Sequence, residues 1–87
     1  MKFLPTEHFT KCYKSLPTVI QAQVDKQLSL LLENPKHPSL RVKKMQGTKG
    51  EIFEGRISRS YRFTFQIEGD TYILRNIGPH NQTLKNP

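Results

Sequence analysis

The sequence is short of three things. It has a single cysteine, Cys12, among 87 residues. One thiol excludes an internal disulfide framework and a zinc site built from several cysteines, and it fits a reducing compartment. Acidic side chains are also scarce: seven Asp and Glu stand against fourteen Lys and Arg, for a net charge of +7. That balance implies a polyanionic partner, whether nucleic acid, an acidic protein or an anionic membrane surface. Long apolar runs are missing too. No stretch is long enough to cross a bilayer, and the opening MKFLPTEHF lacks the hydrophobic segment of a signal peptide. A chain of this length buries one modest core and leaves no room for a doubly wound cofactor domain. There is no internal repeat and no low-complexity tract. The expectation is one domain over residues 1–87, soluble, cytoplasmic and basic.

What is present has two periods. Lys2 to Leu4 reads as a short strand ended by Pro5, and Thr6 can cap a helix starting at Glu7. Phe9, Cys12, Tyr13 and Leu16 then form one apolar stripe at helical spacing. Pro17 stops that helix and suits the first turn of a second, which runs to about Glu33 with Ile20, Val24, Leu28, Leu31 and Leu32 inward. The segment Asn34 to Pro38 is a linker. From there the period is two: Leu40–Gln46, Glu51–Ser58, Ser60–Glu68 and Thr71–Ile77 read as strands. The fold class is α+β: a short N-terminal strand, an antiparallel helix pair, then a four-stranded antiparallel meander with the helices on one sheet face.

The turns set the register. A three-residue loop at Ser58-Arg59-Ser60 puts Arg56 opposite Arg62. A two-residue turn at Gly69-Asp70 puts Glu68 opposite Thr71 and Thr64 opposite Arg75. A four-residue turn at Gly47 to Gly50 puts Lys43 opposite Glu54 and Arg41 opposite Arg56. Alternation then gathers Arg41, Lys43, Glu54, Arg56, Arg62, Thr64 and Arg75 on one face and leaves Phe63, Phe65, Tyr72 and Leu74 on the other. Like charges directly opposed cost roughly 0.2–1 kcal/mol per pair. Such a face is either solvated or holds an anion.

His80 follows the last strand, in a tail just past a Gly-Pro break, near Arg62. It is either an ordinary surface residue or a proton donor beside an arginine-bound phosphate, since imidazole titrates near neutrality. With RNA the 2′-hydroxyl itself attacks the phosphate, and no external water is needed. His8 and His37 read as plain polar residues.

The stretches KKMQG (Lys43 to Gly47), EGRISRSYRFTF (Glu54 to Phe65) and YILRNIGPHNQTL (Tyr72 to Leu84), in this order behind a helix pair, resemble the RelE/ParE superfamily of bacterial toxins. The resemblance spans nearly the whole chain. It implies a RelE-like microbial RNase fold and the toxin of a type II toxin–antitoxin system, whose nuclease members cut mRNA on the ribosome without a metal or other cofactor. Carried onto this sequence, it makes Arg62 and Arg56 phosphate ligands, Lys43 a supporting cation or base, Glu54 a candidate base and His80 the general acid, as in the YafQ-like branch. Lys44, Lys49, Arg59, Arg75 and Arg41 would hold flanking RNA. Leu84 departs from the pattern, because nuclease members often carry an aromatic near this position. The implied partners are an acidic cognate antitoxin, the ribosome with its mRNA, and operator DNA only through the antitoxin complex; no membrane is implied. Two other readings stay open: a ParE-like inhibitor of DNA gyrase without nuclease activity, and an inactive relative that only binds antitoxin.

Overall fold

Thr6 joins the first strand to the first helix. Its backbone is extended and its hydroxyl accepts the Phe9 amide at 3.1 Å, satisfying one of the free donors at the helix start. Before it lies β1 (Lys2–Pro5) and after it α1 (Glu7–Ser15). Pro17 takes the N-cap position of α2 (Thr18–Glu33), as its fixed φ allows, without a side-chain hydrogen bond. The computed structural model describes residues 1–47 and 50–87. The remaining elements are β2 (Lys43–Lys44), β3 (Phe53–Arg56), β4 (Tyr61–Glu68), β5 (Thr71–Pro79) and α3 (His80–Lys85). The strands form one sheet in the order β1-β5-β4-β3-β2. β1 runs parallel to β5, and the other pairs are antiparallel.

Phe63 and Phe65 of β4 and Tyr72, Leu74 and Ile77 of β5 point to one face and meet Phe9, Val24 and Leu31 from the helices. Burial of each such side chain stabilises the fold by roughly 1.5–3 kcal/mol. Cys12, Tyr13, Leu16, Ile20 and Leu28 pack half-buried around that core. Leu32 was expected to face inward and instead is 43% exposed. Gln27 is buried in its helix, and its amide donates to the main-chain oxygens of Arg56 (2.9 Å) and Ser39 (3.4 Å). Arg56 is the last residue of its ladder and Ser39 lies outside the sheet, and the buried glutamine gives both carbonyls a donor.

Three further expectations are corrected. The strand expected over Leu40–Gln46 shrinks to Lys43–Lys44, because Pro38–Leu40 forms a 3₁₀ turn capped by the His37 ring and Arg41 then takes a left-handed φ of 45°. Arg41 is therefore not paired with Arg56 in a ladder. Thr64 faces Asn76, not Arg75: the β4–β5 register shifts between Thr64 and Phe65, leaving Arg75 as the extra residue of a bulge. The shift keeps both Leu74 and Ile77 on the core face, which strict alternation could not do. Finally, the residues after Pro79 form α3 rather than a loose tail. With the following Asn86 and Pro87 it lies against β4 and β5; Thr64 Oγ1 donates to the Pro87 oxygen at 2.9 Å. Arg56 opposite Arg62, Glu54 opposite Lys43 and Glu68 opposite Thr71 all stand as expected.

Candidate active site

The cross-strand pair Arg56–Arg62 lies at the β3–β4 turn. The turn itself absorbs the repulsion. Arg62 Nη1 donates to the main-chain oxygens of Ser58 (2.7 Å), Tyr61 (3.0 Å) and Arg59 (3.2 Å). Arg56 Nε donates to the same Ser58 oxygen at 3.3 Å. Two guanidinium groups thus converge on one carbonyl, and the remaining donors of each fork stay available. Burial holds the Arg62 group below the usual arginine range; Arg56 and Arg41 push in the same direction, and Glu54 opposes them. An arginine so placed still carries its charge at neutral pH. It is a cation short of anions.

Glu54 is buried in β3 and forms a 3.6 Å ion pair with Lys43 across the β2–β3 ladder. His80 opens α3. Its amide donates to the Ser60 oxygen at 2.8 Å, which ties it to the turn that carries Arg62. The ring is exposed. Nδ1 meets Asn81 Oδ1 at 3.2 Å, and among the described residues Nε2 has no partner. His80 and Arg62, with Arg59 and Ser60, line one open hollow of about 540 Å³. Arg56 lies on the other side of the Ser58–Ser60 turn, with Arg41, in a second hollow of about 570 Å³.

The other sequence-derived residues are dispersed. Lys44 pairs with Glu51 at 3.5 Å. Arg59 is exposed at the tip of the turn. Arg75 donates to Gln66 Oε1 (2.7 Å) and to the Pro87 oxygen (3.1 Å), and so braces the segment after α3 against the sheet. It lines neither hollow that holds Arg56 or Arg62. Lys49 lies outside the described residues. Leu84 is half-buried in α3, four residues after His80, and supplies neither a proton nor an aromatic surface.

Two features escaped the sequence reading. One is α3, whose signal was available: Pro79 precedes it as Pro17 precedes α2. The other is a cluster at the start of β5's second half. Asn76 Oδ1 accepts at 2.8 Å from the Ile77 amide and meets His8 Nε2 (3.1 Å) and Cys12 Sγ (3.7 Å), while its amide donates to the Asn86 oxygen at 2.7 Å. Residues far apart in sequence meet there, so no local pattern announced it.

No protein-family model matches this sequence, and no curated protein does. Solved structures do match its fold. A chain of the RelB–RelE antitoxin–toxin complex from Methanococcus jannaschii superposes with a TM-score of 0.73 at 21% identity, covering 97% of this chain and 99% of that one. The YoeB/ParE toxin from Agrobacterium tumefaciens gives a TM-score of 0.77 at 14% identity, over 92% of this chain and 99% of that one. YafQ from E. coli gives 0.74 at 11% identity, over 92% and 93%. The fold is that of the RelE-like toxins. These matches extend over nearly the full length on both sides.

Proposed function

We propose that the protein is the toxin of a type II toxin–antitoxin pair and cleaves mRNA on the ribosome as a metal-independent endoribonuclease. The observation that carries this reading is the shared hollow of Arg62 and His80. A phosphate there sits against a cation with donors to spare, beside an imidazole whose Nε2 is free among the described residues. The RNA 2′-hydroxyl attacks phosphorus and forms the new P–O bond. Its proton passes to Glu54, the carboxylate side of the ion pair with Lys43. Arg62 stabilises the added negative charge, with Arg56, its cross-strand partner, as the second cation beside the turn. The bond to the 5′-oxygen breaks, and His80 donates the proton that makes it a hydroxyl. The products are a 2′,3′-cyclic phosphate and a 5′-hydroxyl end. The basic surface and the toxin neighbours support an acidic antitoxin as the masking partner, with operator DNA reached only through that complex.

The test is a defined mRNA in a purified bacterial translation mixture, with 5′ ends mapped by primer extension. Discrete cuts at A-site codons, absent without ribosomes and lost with Arg62→Ala, are expected. A folded, antitoxin-free protein that makes no cuts, but blocks gyrase supercoiling, would instead be a ParE-like inhibitor.

A further inference from the structure

His8 and Cys12 stand one turn apart on α1, and Asn76 meets them from β5. Three donor atoms converge there. His8 Nε2 lies 3.5 Å from Cys12 Sγ and 3.1 Å from Asn76 Oδ1, and Sγ lies 3.7 Å from Oδ1. Hydrogen bonding accounts for this triangle only in part, because Oδ1 already accepts from the Ile77 amide at 2.8 Å and a thiol is a weak donor. The three edges also fit an ion. A tetrahedral zinc with ordinary bond lengths holds its sulfur about 3.6 Å from a nitrogen or oxygen ligand, and its nitrogen about 3.4 Å from the oxygen. Each measured distance lies within a few tenths of an ångström of that pattern. The cluster is also open to solvent. His8 is exposed, Cys12 is half-buried, and both line a hollow of about 640 Å³; His8 and Asn76 line a smaller one of about 300 Å³. Among the described residues His8 Nδ1 has no partner, so it can carry the ring proton while Nε2 offers its lone pair.

We propose that this cluster is a zinc site, with His8 Nε2, Cys12 Sγ and Asn76 Oδ1 as three ligands and a fourth position open to the larger hollow. The proposal is independent of the nuclease reading. On binding, the Cys12 thiol gives its proton to solvent and its sulfur forms the bond to the metal, with no change of oxidation state. No Asp or Glu lines either hollow, while Lys11 lines one and Arg75 the other, so the thiolate supplies the negative charge at the ion. A set of one sulfur, one nitrogen and one oxygen favours zinc over magnesium and calcium, which take oxygen shells. Two ligands come from α1 and the third from β5, so the ion staples the first helix to the sheet. An ion that needs the folded arrangement of its ligands stabilises the fold.

The experiment titrates the whole protein, reduced and metal-free, with cobalt(II) as a coloured probe and then with zinc(II). One ion per chain is expected, with a thiolate-to-cobalt charge-transfer band in the near ultraviolet and the strong visible bands of tetrahedral cobalt. Zinc displaces the cobalt and removes both. Cys12→Ser abolishes the charge-transfer band. His8→Ala, on an exposed part of α1, weakens cobalt binding at least about tenfold, the loss that even an outer partner of a metal ligand brings. His80→Ala changes neither. Zinc raises the urea midpoint of the unaltered protein and leaves that of Cys12→Ser unmoved. Absence of the charge-transfer band, or its survival in Cys12→Ser, overturns the site. Charge transfer without a rise in the urea midpoint means that His8 and Cys12 bind alone, without Asn76, and overturns it as well. One ion to two chains places the metal between copies and is equally fatal. If magnesium raises the midpoint as much as zinc does, the zinc assignment is wrong.

Discussion

At the scale of single residues, Arg62 has the most demanding position. It is partly buried, faces another arginine, and uses one nitrogen on three turn carbonyls. That anchoring aims a planar fork, and lysine cannot copy it. Arg62→Ala is expected to lower cleavage by about 10²–10³-fold, on the scale of losing one preorganised donor, and Arg62→Lys to recover little of it. Single-turnover rates on programmed ribosomes measure both; full rescue by lysine would mean a simple charge suffices. Gly55 makes a different kind of residue argument. A Cβ there would lie 2.4 Å from the Phe63 ring, so the ring covers the glycine across the β3–β4 ladder. Gly55→Ala is expected to cost about 1–3 kcal/mol in urea unfolding, the range for overpacking a core.

At the scale of elements, β4 and the β3–β4 turn were legible because Tyr61 to Glu68 alternates without a break and the loop length fixes the pairing. β5 was legible only in part. Its inward residues are Tyr72, Leu74 and Ile77, spaced by two and then by three, and that uneven step encodes the bulge. β2 was over-extended because a period-two pattern from Leu40 ignored the turn preference of Pro38-Ser39 and the left-handed Arg41. Thr6 as cap, by contrast, needed only its neighbours. Thr6→Ala is expected to cost about 1 kcal/mol by the same unfolding assay, since it also gives up a bond to the Arg75 oxygen at 3.2 Å. β5 carries a pH dependence as well. Burial raises the Tyr72 phenol above its ordinary 10.0. The folded state therefore favours the protonated ring. Its contribution is complete below pH 10 and is lost as pH rises through the raised folded value. Tyr72→Phe should flatten the alkaline limb of a stability–pH curve; an unchanged limb would place the loss elsewhere.

At the scale of the whole molecule, sequence and structure agree on a basic frame with a helical layer on one side and a cationic turn on the other. The Arg56–Arg62 pairing and the Arg62–His80 neighbourhood could be read from the sequence because short turns bring each pair together. The His8–Cys12–Asn76 cluster could not, since it requires knowing that α1 packs against β5. No described helix is long and apolar enough to cross a membrane. With a net charge of +7, binding to RNA is expected to weaken as salt rises, by a slope of about 0.7 per phosphate neutralised on a single strand. Arg59→Ala, in the Arg62–His80 hollow, should lower that slope by about that amount; an unchanged slope would leave Arg59 out of the path. The account as a whole stands on His80 giving its proton to the leaving oxygen. The most direct measurement compares an mRNA with its normal 5′-oxygen at the cut site with one carrying sulfur there, a leaving group that departs without protonation. His80→Ala is predicted to slow the oxygen substrate by about 10²–10⁴-fold and to cut the sulfur substrate nearly as fast as the unaltered protein does. An equal loss on both substrates, or no loss on either, would contradict the account.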